Sequence, residues 1–383
     1  MWPIEDHITF LLEAAFREDV TVNELLPISI GFAMFWAVVF EVSKPPLRRL
    51  THGRPLLRSA CEREYERCAK EMYVNIGVRM TKEEAIELMM KEWPAHVVII
   101  LQHAAGSILC IPSLFGIGDA SWASSLACLG CLSELGWELE NTAEIVYTRL
   151  FTEHGKRTMP NFLVVLLLLH HSLTLCLGLP MVLHYRNLWV FHQLVFDLQL
   201  GGAVFLSLTE YSKFLDITKA NELWKFKVCN FLILALNIWT RLFHWIYLSA
   251  HMMLTWYRDK AWAFMVVGAV VIVLFSFFNA AFMIIPIYQR FVKFLRVSAE
   301  YDSLPPDASE KQRRQSIIQL EAAREGLLEF DLEDRIMSFL DSFNHREKVD
   351  RRQSLPPRAL KSWGSSARMM RHASVPAHAW KKD

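Results

Sequence analysis

The sequence predicts an all-α integral membrane protein of about seven transmembrane helices, six of them forming a bundle around a central cavity. Three observations predict it. The 383 residues are 53% hydrophobic and only 21% charged, against about 45–50% and about 25% in soluble domains, and the mean hydropathy is +0.21. Charge is unevenly spread: residues 44–92 and 291–383 hold most of the Lys and Arg, and long uncharged runs fill the middle. Those runs reach the roughly 20 apolar residues that a spanning helix needs. A soluble globular enzyme is thereby excluded. A net charge of +1 excludes a nucleic-acid role for the whole chain, which would need a basic field.

Residues 1–24 carry one base, Arg17, against six carboxylates, so they are expected on the lumenal or extracellular side, with no cleaved basic leader. Residues 25–43, with Phe32, Phe35, Trp36 and Phe40, form the first anchor. Residues 44–92, basic from Lys44 to Lys91, are expected in the cytosol by the positive-inside rule. Within them Thr81-Lys82-Glu83-Glu84 reads as a capping box opening a helix. Residues 93–291 form the six-helix domain, with spans near 93–115, 120–137, 160–183, 188–208, 226–248 and 261–291. The turn Gly116-Ile117-Gly118-Asp119 separates the first two. Alternation places Lys156, Arg157, Lys213, Lys219 and Lys225 on the cytosolic side with the C-terminus, and leaves Arg186, Arg258 and Lys260 opposite.

Residues 292–343 contain an apolar stripe, Leu332, Ile336, Phe339, Leu340 and Phe343, at helical spacing. It is expected to pack on a partner or on the domain's own cytosolic face, or to lie on the membrane. Residues 344–383 are polar, basic and rich in Ser and Pro, a disordered composition. Ser316, Ser354 and Ser374 each follow basic residues, the pattern of basophilic kinase sites. Ser354 and Ser374 also carry Pro at the second position after, the layout that 14-3-3 proteins read through an Arg cluster. Seven cysteines imply no disulfide framework. Cys128 and Cys131 are expected in the core, and Cys61 and Cys68 as a surface pair on a cytosolic helix.

Ionisable residues inside spans are costly and face the bundle interior. On the sixth span Asn230, Asn237, Arg241, His244 and His251 fall on one helical face, and on the fifth so do His192, Gln199 and Glu210. His96 and His103 lie seven apart on the second span, Glu134 and Glu138 four apart on the third. The fourth carries His170-His171 with Thr174 one turn on. These stripes are expected to converge on one cavity, where Arg241 needs a carboxylate from Glu210, Glu134 or Glu138. Phosphate-loop, hydrolase-elbow and zincin motifs are absent from the sequence, one HH pair is too few for a di-iron centre, and neither metal nor cofactor is expected.

The stretch from His170 to Tyr247 resembles the TLC-domain family, the membrane domain shared by ceramide synthases and several lipid-regulating proteins. The resemblance is carried by His170-His171-Ser172-Leu173-Thr174, Gly202, Leu208-Thr209-Glu210-Tyr211-Ser212-Lys213, Asn230 and Arg241. In the ceramide-synthase subgroup an HH pair and a later His-Asp…Asp motif form the acyl-transfer centre. Here Thr209 stands at that His, Glu210 at the first Asp and Lys213 at the second. The chain thus resembles the members that are not ceramide synthases, and the resemblance implies lipid homeostasis through binding, transport or control of membrane lipid composition. For an acyltransferase, with acyl-CoA as substrate, His170 and His171 would act as base and Glu210 would orient them. Thr174, His192, Gln199, Asn237, Arg241 and His244 would hold the lipid. A third possibility is a seven-span receptor or channel. The resemblance implies the endoplasmic reticulum or a related endomembrane, the plasma membrane being the alternative, with membrane lipids as partners and the C-terminus cytosolic.

Overall fold

A computed structural model describes residues 21–51, 53–65, 81–152, 161–217 and 219–305, with residues 9, 17, 155, 312–313, 315–320 and 323. Among these there is no strand. In chain order the helices are α1 (Val22–Thr51), the short α2 (Pro55–Glu64), α3 (Lys82–Phe115), α4 (Ala120–Phe151), α5 (Asn161–His184) and α6 (Trp189–Phe214). The next rod joins α7 (Ala220–Ile238) to α8 (His244–Arg258) through a π-helical turn, Trp239–Phe243. The last joins α9 (Trp262–Phe278) to α10 (Ile285–Asp302) through a second, Asn279–Ile284.

Six of these rods are long and apolar enough to cross a membrane; the fold is that of an all-α, multi-pass membrane protein. α1 displays the logic. Leu25, Ile28, Phe32, Trp36 and Phe40 are buried, whereas Leu26, Ile30, Met34, Val38 and Val42 point outward. A helix apolar on both faces has protein on one side and hydrocarbon on the other. The third expected span, 120–137, is where the sequence reading needs correction. α4 is 32 residues long rather than ending near Trp137, and it is the rod that falls short in apolar content. Its neighbours α1, α3 and α5 enclose it, so small residues replace large apolar ones: Ala123, Ser124, Ser125, Ala127, Cys128, Gly130, Cys131 and Ser133 are all buried. Cys128 and Cys131 lie in the main core, as expected.

Small residues let α4 approach its neighbours closely. A Cβ on Gly130 would stand 2.7 Å from the Gly106 carbonyl oxygen of α3, and one on Gly136 would stand 2.8 Å from the Phe32 carbonyl carbon of α1. Interhelical hydrogen bonds fix the contacts: Trp36 Nε1 donates to Ser133 Oγ (3.0 Å) and Trp245 Nε1 to Ser276 Oγ (2.9 Å).

The ends obey local signals. Thr81 caps α3 as a full capping box: its backbone N–H donates to Glu84 Oε2 (2.7 Å), and its hydroxyl oxygen accepts from the Glu84 N–H (3.3 Å). α3 ends at Gly116, φ +64°, and Asp119 caps α4 by accepting from the backbone of Ser121 and Trp122. Thr81→Ala should cost about 1 kcal/mol of helix-end stability, read as faster amide exchange over the first turn of α3 with the membrane core unchanged.

Helices run through three boundaries drawn from charge, at 43/44, 92/93 and 291/292, because α1, α3 and α10 continue past their apolar stretches. Ser316 lies in the helical residues 315–320 and is half-buried, while Leu320 and Ala323 are buried beside Phe226 and Phe294. Cys61, expected at the surface, is instead buried against Leu57 and Ile86, because α2 packs on the start of α3. Cys68, the stripe 332–343, Ser354 and Ser374 lie outside the described residues.

Candidate functional site

A cavity of about 280 Å³ opens among α3, α4, α5, α6, α8, α9 and the first π turn. Its polar lining gathers at one level: His103, Glu134, Glu138, Asn141, His170, His171, Thr174 and Arg241. Toward the end of the bundle that holds the turns 116–119 and 185–188 the lining becomes apolar, with Leu177, Met181, Phe191, Val195, Met252 and Val271. Leu167 and Met181, both in the lining, are fourteen residues apart on α5, so the cavity runs about 21 Å along the helix axis at about 1.5 Å per residue. It is amphipathic along its length.

Each polar group is held differently. Glu134 Oε2 accepts from Gln102 Nε2 (2.6 Å) and meets His103 Nδ1 at 3.1 Å. The His103 ring stands edge-on to Trp137, and Trp137 edge-on to His171. His171 Nδ1 lies 2.7 Å from the Thr142 hydroxyl, which fixes the ring. His170 stacks on Phe278 and stands edge-on to Phe275, and its buried Nδ1 has no partner among the described residues. Thr174 donates to the His170 carbonyl (3.2 Å). Gln199 reaches across to the Gly130 carbonyl (3.1 Å), filling the gap left by Gly106.

Arg241 is placed by the π turn. There the His244 N–H bonds the Trp239 carbonyl, five residues back, so the turn holds one more residue than an α-helical one. The second π turn leans on the first: Asn279 Nδ2 donates to the Arg241 carbonyl (3.2 Å). The guanidinium faces the cavity without a direct hydrogen bond or ion pair among the described residues. Glu134 and Asp197 are the carboxylates whose charge it feels.

The cavity therefore brings together His170, His171, Thr174, Gln199 and Arg241 of the sequence-read residues. The other four lie elsewhere. Glu210 binds Lys213 Nζ (2.7 Å) and His96 Nδ1 (3.1 Å) at the opposite end of α6 from His192, so it does not orient the histidine pair and is not the partner of Arg241. His192 ties Ser113 to the Arg186 carbonyl, each at 2.5 Å. It sits on the face of α6 that periodicity assigns, but His192 and Glu210 are 18 residues, about 27 Å, apart, and one cavity takes only one level of a stripe. Asn230 and Asn237 donate to carbonyls of their own helix. His244 Nδ1 lies 2.5 Å from Asp197 Oδ2, because the extra residue of the π turn rotates the rest of the rod by about 100° relative to an unbroken helix.

Thr142 escapes the sequence reading, although it continues the Glu134, Glu138 spacing by one more turn. His103, Glu134 and Glu138 line the cavity as their stripes predict, but neither carboxylate pairs directly with Arg241. No protein-family model, curated protein or solved structure matches this chain.

Proposed function

We propose that this multi-pass membrane protein acts in lipid homeostasis by holding a single-chain lipid in the central cavity, as a binding, sensing or transport step. The Arg241 guanidinium carries the reading: it faces an amphipathic cavity inside the bundle without a direct side-chain partner among the described residues. A cation in hydrocarbon costs at least about 2.5 kcal/mol unless it is paired, and an anionic lipid group supplies the pair. The apolar end takes the chain. The resemblance to TLC-domain proteins supports an endomembrane location, positive-inside alternation a cytosolic C-terminus, and the basic-Ser-x-Pro layout at Ser354 and Ser374 regulation by phosphorylation and 14-3-3 proteins.

The test is photolabelling of the full chain in nanodiscs with a diazirine fatty acid. Cross-links are expected on 131–141, 167–181 and 241–252, with Arg241→Gln lowering them about ten-fold or more, as loss of a charge-assisted bond in a dry site does. Labels confined to lipid-facing positions such as Val266 and Val273, unchanged in the variant, would overturn it.

A second reading, acyl transfer from acyl-CoA, is favoured by the Thr142–His171 contact, which leaves His171 Nε2 for a substrate proton. Product formation by wild type and none by His171→Ala at equal lipid labelling would establish it.

A further inference from the structure

A basic and an acidic side chain line the cavity, and neither has an ion-pair partner among the described residues. Arg241 has no direct partner, and Glu138, 2% exposed, has one carboxylate oxygen buried without a hydrogen bond. The two make no ion pair with each other. The remaining acid is already bound: Glu134 has Gln102 and His103. Asp197, outside the cavity lining, has His244 and Gln193.

An arginine cation and a buried acid held apart across a cavity inside a membrane are each costly to charge alone. They are matched together by a molecule carrying an anion and a cationic donor at the same end. We propose that the ligand is a zwitterionic single-chain amphiphile, its phosphate or carboxylate on Arg241 and its ammonium N–H on Glu138. This deepens the lipid-binding reading and rests on it. The volume, about 280 Å³, lies near the lower bound of ligand pockets, about 300 Å³, and suits one chain rather than two. No bond is made or broken; recognition is ionic and by hydrogen bonds.

The experiment is a competition series on the full chain in nanodiscs, displacing the diazirine fatty acid with probes of one chain length. Lysophosphatidylethanolamine carries both charges with N–H donors, and lysophosphatidylcholine both charges without N–H. Lysophosphatidic acid carries only the anion, a long-chain alkylamine only the cation, and an N-terminally free lipoamino acid replaces the phosphate by a carboxylate. The first and last are expected to compete about ten-fold or more better than the single-charge probes, with the choline compound intermediate. Glu138→Gln should erase the preference over lysophosphatidic acid while leaving that compound's own binding in place. Arg241→Gln should erase the preference over the alkylamine. The wild-type series alone decides the matter if either variant fails to fold. Lysophosphatidic acid or the fatty acid competing as well as the zwitterions would overturn the zwitterion while leaving lipid binding intact. Absence of any fatty-acid labelling to displace would overturn the lipid-binding reading itself.

Discussion

Gly130→Val is expected to prevent recovery of a monodisperse bundle, seen as loss of the monomer peak in size-exclusion chromatography of detergent extracts. The obstacle is backbone: a Cβ there would stand 2.7 Å from the Gly106 carbonyl oxygen, which cannot rotate away. Overpacking in a well-filled core costs about 1–3 kcal/mol and occasionally more, and a helix pushed off its neighbour belongs at the upper end. α4 would also leave the Gln199 amide that bonds the Gly130 carbonyl and shift Glu134 and Glu138 in the cavity wall. Two controls separate this from a general intolerance of bulk. Leu101→Phe, on the outer face of α3 where Leu101 is 60% exposed, should leave the peak in place. Gly106→Ala should be milder than Gly130→Val, because the nearest atoms belong to the far end of Gln199, a flexible side chain. A normal monomer peak for Gly130→Val would show that the α3–α4 contact is not what holds the bundle.

Membrane helices announce themselves when lipid is their solvent, and α4 shows where that signal ends. Its neighbours cover its middle, so it keeps Glu134 and Glu138 inside the bundle, while Glu144 further on is exposed, and hydropathy recovers only its first half. Capping is more local and therefore more legible. Thr81, Glu84, Gly116 and Asp119 each satisfy end groups of their own helix, and their positions are readable without tertiary knowledge. The candidate site divides along the same line. His170, His171 and Thr174 fall together because they share one helix. His103 and Glu134 meet across two, and neither stripe alone makes their contact legible. Face assignments on α6 hold, yet His192 and Glu210 go to opposite ends, since periodicity reports direction around an axis and not depth along it. On the α7–α8 rod even direction fails, because no residue in Trp239-Thr240-Arg241-Leu242-Phe243 declares a π turn.

That turn supports the other large prediction, Asn279→Leu. Asn279 is 1% exposed, and its amide donates to the Arg241 carbonyl (3.2 Å), so the two π turns brace each other across the α8–α9 contact. A π turn is less favourable than the α-helix on either side of it and persists where tertiary contacts hold it. Leucine keeps the branching and the number of side-chain heavy atoms and removes the donor, leaving a buried carbonyl short of a partner at a cost of about 1–3 kcal/mol. Relaxation of Trp239–Phe243 to α-helix would then remove the extra residue and turn Arg241 away from the cavity by about 100°. Fatty-acid labelling should fall as far as in Arg241→Gln, although Arg241 itself is intact, while the monomer peak persists at a lower melting temperature. Asn279→Asp, which loses the donor but stays polar, should behave like the leucine variant, and Asn279→Gln should recover part of the labelling. Were Asn279→Leu to label as strongly as wild type, the guanidinium would owe its position to its own helix, and the second π turn would have no part in the site.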